Sequence, residues 1–149
     1  MKLTSSGIVN GIILDKYGKR GDMNLSMPFI FSEYPLNTVS FALVIEDYDA
    51  IEVCGYDYIH WLVANIDLNY LDEGASITNK DYITQGVNSN NTNSYIGMAP
   101  PDKMHTYDIT LYALDTRLNL SNGFSYSELH NKMIGHILSQ VNIKASYDN

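Results

Sequence analysis

Apolar and polar positions alternate along much of this chain, and the alternation predicts strands. Strand-like runs fall at Gly11–Leu14, Phe29–Phe31, Val39–Glu46, His60–Ile66 and Tyr107–Leu114, separated by clusters of Gly, Pro, Asn and Asp. Read with a period of two, His105, Tyr107, Ile109, Leu111 and Ala113 share one strand face. The same period puts His60 on the face of Leu62 and Ala64, with Trp61 on the opposite face as a core residue. Val39–Glu46 leads into Asp47-Tyr48-Asp49-Ala50, so both carboxylates point the same way. Three apolar strands therefore each carry an ionisable group near one end. Brought together, those ends make one cavity holding His60, His105, the aspartates and Tyr107.

Towards the C-terminus the period changes. Leu129, Met133, Ile137 and Val141 recur every four residues with Ile134 and Leu138 beside them, which predicts a helical stripe. Ser125 with Glu128 three residues later offers a capping box. His130 and His136 fall within this predicted helix and are assigned no site role. Asp15–Asn24 reads as a loop, and the polar run Asn88–Ser94 as a surface loop leading into Tyr95–Pro101. The expected architecture is mainly β: an antiparallel β-sandwich with a packed C-terminal helix, as a single domain over residues 1–149.

Composition narrows the function. A chain of 149 residues is long enough to bury ~70% of its unfolded surface in one core. Nine basic residues against 17 acidic ones give a net charge of −8, which disfavours nucleic acid and anionic membrane surfaces as partners. Cys54 is the only cysteine, so no internal disulfide is expected and a reducing compartment is natural. Met1–Ser6 lacks the apolar core of a signal peptide, and no run has the length of a membrane span. The expected location is cytoplasmic.

The stretch Gly97-Met98-Ala99-Pro100-Pro101-Asp102-Lys103-Met104-His105-Thr106-Tyr107 is the most unusual in the chain. Paired prolines precede a histidine and a tyrosine that enter on a core-directed face, which is a pocket signal. Together with Asp47-Tyr48-Asp49-Ala50-Ile51, His60-Trp61 with Asn65, Tyr95-Ile96-Gly97 and Tyr112-Ala113-Leu114-Asp115, it resembles the phosphatidylethanolamine-binding protein family, also called Raf-kinase-inhibitor-like. Ser26-Met27-Pro28-Phe29 and Gly135-His136-Ile137-Leu138, the latter aligned with the family's C-terminal helix, extend the resemblance along essentially the whole chain. The length suits the bacterial and archaeal branch. Two departures stand out: the prolines of the family's Asp-Pro-Asp-Ala-Pro segment are Tyr48 and Ile51 here, which should loosen that wall. Tyr58, two places before His60, adds a hydroxyl if it lines the cavity.

The resemblance implies a ligand-binding module for a small phosphorylated or carboxylated group, with no cofactor and no metal. On this reading His60 and His105 donate to the ligand, and Asp47 orients a histidine or meets an ammonium. Pro100, Pro101 and Tyr107 shape the wall, with Asp49 and Tyr95 as lesser members. A bare anion ~4 Å from a carboxylate meets ~4 kcal/mol of repulsion at an effective dielectric near 20. That repulsion is escaped if an aspartate spends its charge on a histidine or if the ligand is a zwitterion; the family's association with phosphoethanolamine-like head groups favours the zwitterion. The resemblance also implies dimerisation and, by analogy of fold, a regulatory contact with a kinase-like or protease-like partner. The alternative is an esterase-like or metal-dependent enzyme using the same cavity. No Gly-x-Ser-x-Gly elbow or close-spaced metal-ligand pair supports it, and Cys54 reads as a loop or strand-end thiol.

Overall fold

The computed structural model describes residues 1–149. Its strands are β1 (Lys2–Thr4), β2 (Ile8–Val9), β3 (Ile12–Ile13), β4 (Phe29–Ser32), β5 (Ser40–Asp47), β6 (Tyr58–Ile66), β7 (Tyr70–Leu71), β8 (Thr84–Gln85), β9 (His105–Leu114) and β10 (Ile137–Tyr147). The helices are short: α1 (Ile51–Cys54), α2 (Ala75–Thr78) and α3 (Tyr126–Met133). Seven strands form one sheet in the order β2-β3-β10-β9-β5-β6-β8, and β1-β4-β7 form a second, so the architecture is a mainly β sandwich. All pairs are antiparallel except β10 with β3. No helix is long and apolar enough to cross a membrane.

The main core lies between the sheets. Phe41, Leu43, Ile45, Trp61, Val63, Ile109 and Leu111 of the large sheet meet Leu3, Phe29, Phe31 and Leu71 of the small one. A second cluster on the outer face of the large sheet packs Ala42, Val44, Leu62 and Ala64 under Leu129 and Met133 of α3. Every residue of β5 is buried, as its unbroken apolar run requires of a strand covered on both faces.

The predicted strands are present, with shifted ends. His60–Ile66 begins earlier at Tyr58, Tyr107–Leu114 begins at His105, and Gly11–Leu14 contracts to β3. The C-terminal helix forms with the expected Ser125–Glu128 capping box but stops at Met133. Gly135 adopts a left-handed φ of 81°, and the chain returns as β10, paired with β9 from Ile137↔Leu114 to Tyr147↔His105. Ile137 and Val141 satisfy a period of two as well as one of four. The turn at Gly135 and the long pairing with β9 decide for the strand. Gly135-His136-Ile137-Leu138 therefore lies beyond the helix, and His136 sits in the turn with Nδ1 2.8 Å from Asp115.

Candidate functional site

Antiparallel pairing carries the end of β5 to the beginnings of β6 and β9: Asp47 lies opposite Tyr58, and Glu46 opposite both Ile59 and Asp108. These strand ends open into a cavity of about 400 Å³, within the range of small-ligand sites. Asp47, His60, His105, Tyr107, Pro100 and Pro101 all line it, and so does Tyr58. The two imidazoles on distant segments therefore converge, and the Tyr107 ring stands between them, 5.2 Å from His60 and 6.4 Å from His105.

His60 reaches the cavity through a bulge. Ile45 pairs with Trp61 but Glu46 pairs with Ile59, leaving His60 as an extra residue in β6. The strand's alternation inverts there: Ile59 packs on the α3 side, whereas Trp61 and Val63 enter the main core. His60 is thereby turned to the side of Trp61 and Tyr107. The expectation that it shares the face of Leu62 and Ala64, opposite Trp61, holds only for an unbulged strand. Trp61 itself is core, its Nε1 donating to Gln85 Oε1 at 2.8 Å.

The Tyr95–Pro101 segment closes the site by backbone bonds. Ile96 N–H donates to His60 O (3.0 Å), Gly97 N–H to Met23 O (2.7 Å), and Lys19 N–H to Met98 O (2.9 Å). Gly97 is required by close approach, since a Cβ there would stand 2.8 Å from Tyr17 O. Tyr95 is a strut behind the wall. Its ring packs edge-on against Trp61, and its hydroxyl donates 2.7 Å to Tyr17 O, away from the cavity. Asp49 also lies outside the lining, accepting from the Thr106 N–H at 2.8 Å. The two aspartates thus diverge, because the chain coils into a 3₁₀ turn at Tyr48–Ala50 and their side chains no longer keep a strand's alternation. Both are held by hydrogen bonds even though Tyr48 and Ile51 replace prolines.

The two histidines differ in electrostatic state. The Nδ1 of His60 lies 2.8 Å from Ile96 O, and a carbonyl only accepts, so that nitrogen carries the proton. Burial pulls the His60 pKa down to about 4, against the carbonyls of Ile96 and Gly97, which support the charged form. At neutral pH His60 is therefore an uncharged ring whose Nε2 is an acceptor, which reverses the expectation that both imidazoles donate. His105 has Nδ1 2.7 Å from Asp47 Oδ2 and Nε2 2.6 Å from Asp102 Oδ1. Burial opposes its charge, but the two carboxylates outweigh burial and raise its pKa. For Asp47, burial raises the pKa and the His105 bond only partly offsets it. Asp47 Oδ1 and the Tyr107 hydroxyl are buried and have no hydrogen-bond partner within the protein.

Asp102 is the residue that the sequence reading missed. It lies in the loop after the paired prolines, and its only signal was Asp-x-x-His spacing into a strand. Cys54 ends α1 instead of lying in a loop or strand; its Sγ contacts Ala50 O and Tyr56 O at the cavity rim. His130 stacks on Tyr126 in α3 and is not part of this cavity's lining.

Both fold and residues point to one family. The family model described as Phosphatidylethanolamine-binding protein matches residues 4–148, and the chain belongs to that family. It is 39% identical to YxkA of Bacillus subtilis over 143 residues, covering 87% of this chain and 85% of the relative. A UPF0098 protein of Chlamydia muridarum is 35% identical, with 99% of each chain covered. A crystal structure of a phosphatidylethanolamine-binding protein homologue from Chlamydia trachomatis superposes with a TM-score of 0.88 at 33% identity, covering 99% of this chain and 96% of the other. E. coli YbcL shares the fold, with a TM-score of 0.87 at 24% identity over 99% and 98% of the two chains.

Proposed function

We propose that the cavity binds a small zwitterion carrying a phosphate or carboxylate at one end and an ammonium at the other, and that the protein is a binding module and not an enzyme. The observation that carries this is the division of the lining into two kinds of partner. Asp47 Oδ1, His60 Nε2 and the Tyr107 oxygen are uncommitted acceptors, which an ammonium can fill. His105 is the only cation in the lining, and its Nε2–H is the natural donor to an anionic group. Neither a bare anion nor a bare amine uses both halves. Tyr58 and Tyr107 supply aromatic faces beside the ammonium position.

Calorimetry with O-phosphoethanolamine, inorganic phosphate and ethanolamine tests the reading. The zwitterion is expected to bind at least tenfold more tightly than either fragment, and Asp47→Asn to remove most of that advantage. Equal affinity for phosphate and phosphoethanolamine would reject the zwitterion, and unchanged binding to His105→Ala would move the site elsewhere. The lone thiol Cys54 suits a reducing cytoplasm. Dimerisation and regulatory contact with a protein partner rest on family analogy, and sedimentation and pull-down against candidate kinases test them.

A further inference from the structure

The acidic side chain on the paired-proline loop holds the ring nitrogen of His105 that an anionic ligand group would need. Asp102 Oδ1 lies 2.6 Å from His105 Nε2, the nitrogen left over once Nδ1 is committed to Asp47. The two carboxylates are not equivalent. Asp47 is almost fully buried at the end of β5, whereas the Asp102 side chain is 41% exposed on a loop whose neighbours Pro101, Lys103 and Met104 are also exposed. No lysine or arginine holds Asp102 in place: Lys103 reaches instead towards Glu52, at 3.4 Å. His105 is its only side-chain partner. A carboxylate on an exposed loop whose single side-chain bond is to this nitrogen can exchange that bond for a ligand's anion, whereas Asp47, buried at the end of β5, cannot.

We propose that Asp102 is a tethered anion that competes for His105, so that an incoming phosphate or carboxylate binds only by displacing it. Asp102 is thus a specificity-determining residue. It lowers affinity for simple anions and favours ligands whose ammonium also engages Asp47 and His60. The inference rests on the zwitterion reading above. The groups facing His105 are Asp47 from β5, Asp102 from the loop, His60 from β6 and Tyr107 from its own strand, while Asp49 in the turn is taken up by the Thr106 N–H. Removing Asp102 leaves Asp47 as the one carboxylate bonded to His105 and weakens the support for its charged form.

The apparent affinity falls by the fraction of molecules in which Asp102 is swung away. Asp102→Asn removes the charge and keeps an acceptor; Asp102→Ala removes both. Both variants should bind inorganic phosphate more tightly than the parent, by roughly three- to tenfold, with Ala at least as tight as Asn. In both, the ¹⁵N-detected pKa of His105 should fall, a change that a merely structural role for the loop would not produce. Equal phosphate affinity in parent and variants, with clear binding in all, overturns the competition and leaves the site intact. No binding of phosphate or O-phosphoethanolamine to any of the three proteins overturns the site reading and this inference with it. An unmoved His105 pKa also overturns it, because the contact with Asp102 would then not exist in solution.

Discussion

Two buried tyrosines allow the cavity to be tested without a known ligand. Tyr107 and Tyr95 are both fully buried, and Tyr→Phe removes one oxygen from each. The Tyr95 hydroxyl donates to Tyr17 O at 2.7 Å, so Tyr95→Phe loses a buried bond worth about 0.5–1.5 kcal/mol. The Tyr107 hydroxyl has no partner in the protein, and keeping such a group buried costs about 1–3 kcal/mol. Tyr107→Phe should therefore stabilise the ligand-free protein by about 1 kcal/mol, while Tyr95→Phe destabilises it by a similar amount. For a chain of this size that is a Tm difference of about 4–8 °C between the two variants, readable by calorimetry at neutral pH. If the hydroxyl exists for the ligand, Tyr107→Phe should also weaken O-phosphoethanolamine binding by about five- to tenfold. Equal destabilisation by both substitutions would refute the claim that the Tyr107 oxygen is uncommitted. A stabilised Tyr107→Phe with undiminished affinity would refute its ligand role.

Other outcomes follow from the same geometry. Gln85 accepts from Trp61 Nε1 (2.8 Å) and Ser76 Oγ (2.7 Å) and donates to Ser76 O (2.9 Å), while Ser76 Oγ accepts the Tyr95 N–H (2.9 Å). Gln85→Leu should cost about 2–4 kcal/mol in urea unfolding, and a loss below about 1 kcal/mol would show that the network is not structural. Burial, then the neighbouring Glu46, holds the Asp57 carboxyl well above the usual range. Its folded pKa exceeds its unfolded one, so its contribution is favourable in acid and is lost as pH rises from the ordinary carboxylate range through neutrality. His105, also raised, stabilises below the ordinary histidine range and loses that contribution as pH rises through its folded value. Stability should thus fall on the alkaline side, and Glu46→Gln should raise Tm most near pH ~8. An Asp57 that titrates near pH ~4 by NMR would contradict this.

Much of the site was legible because β9 is regular where it matters. His105, Tyr107, Ile109 and Leu111 keep a period of two from the cavity into the core, so reading the strand read the site. His60 converged as expected but for a different reason: its face is set by a bulge, which depends on β5 across the ladder and leaves no local mark. The turn at Gly135 is local chemistry, yet the stripe Leu129–Val141 fits helix and strand alike. Pairing with β9, distant in sequence, settles it. Asp49 and Tyr95, expected as lesser members of the site, lie outside its lining with their polar atoms bonded to Thr106 and Tyr17, because a 3₁₀ turn and a loop have no period to read. Asp102 escaped because a loop carboxylate announces nothing until its partner's ring is in place.

The most direct test uses the four histidines as mutual controls. ¹⁵N-detected ring spectra of the protein titrated with O-phosphoethanolamine at neutral pH report each imidazole separately. His60 should begin as the neutral Nδ1–H form and His105 as the charged ring. Both should shift saturably with one shared dissociation constant, while His130 and His136 stay still. Shifts confined to His130 or His136, or none at all at millimolar ligand, would contradict the account.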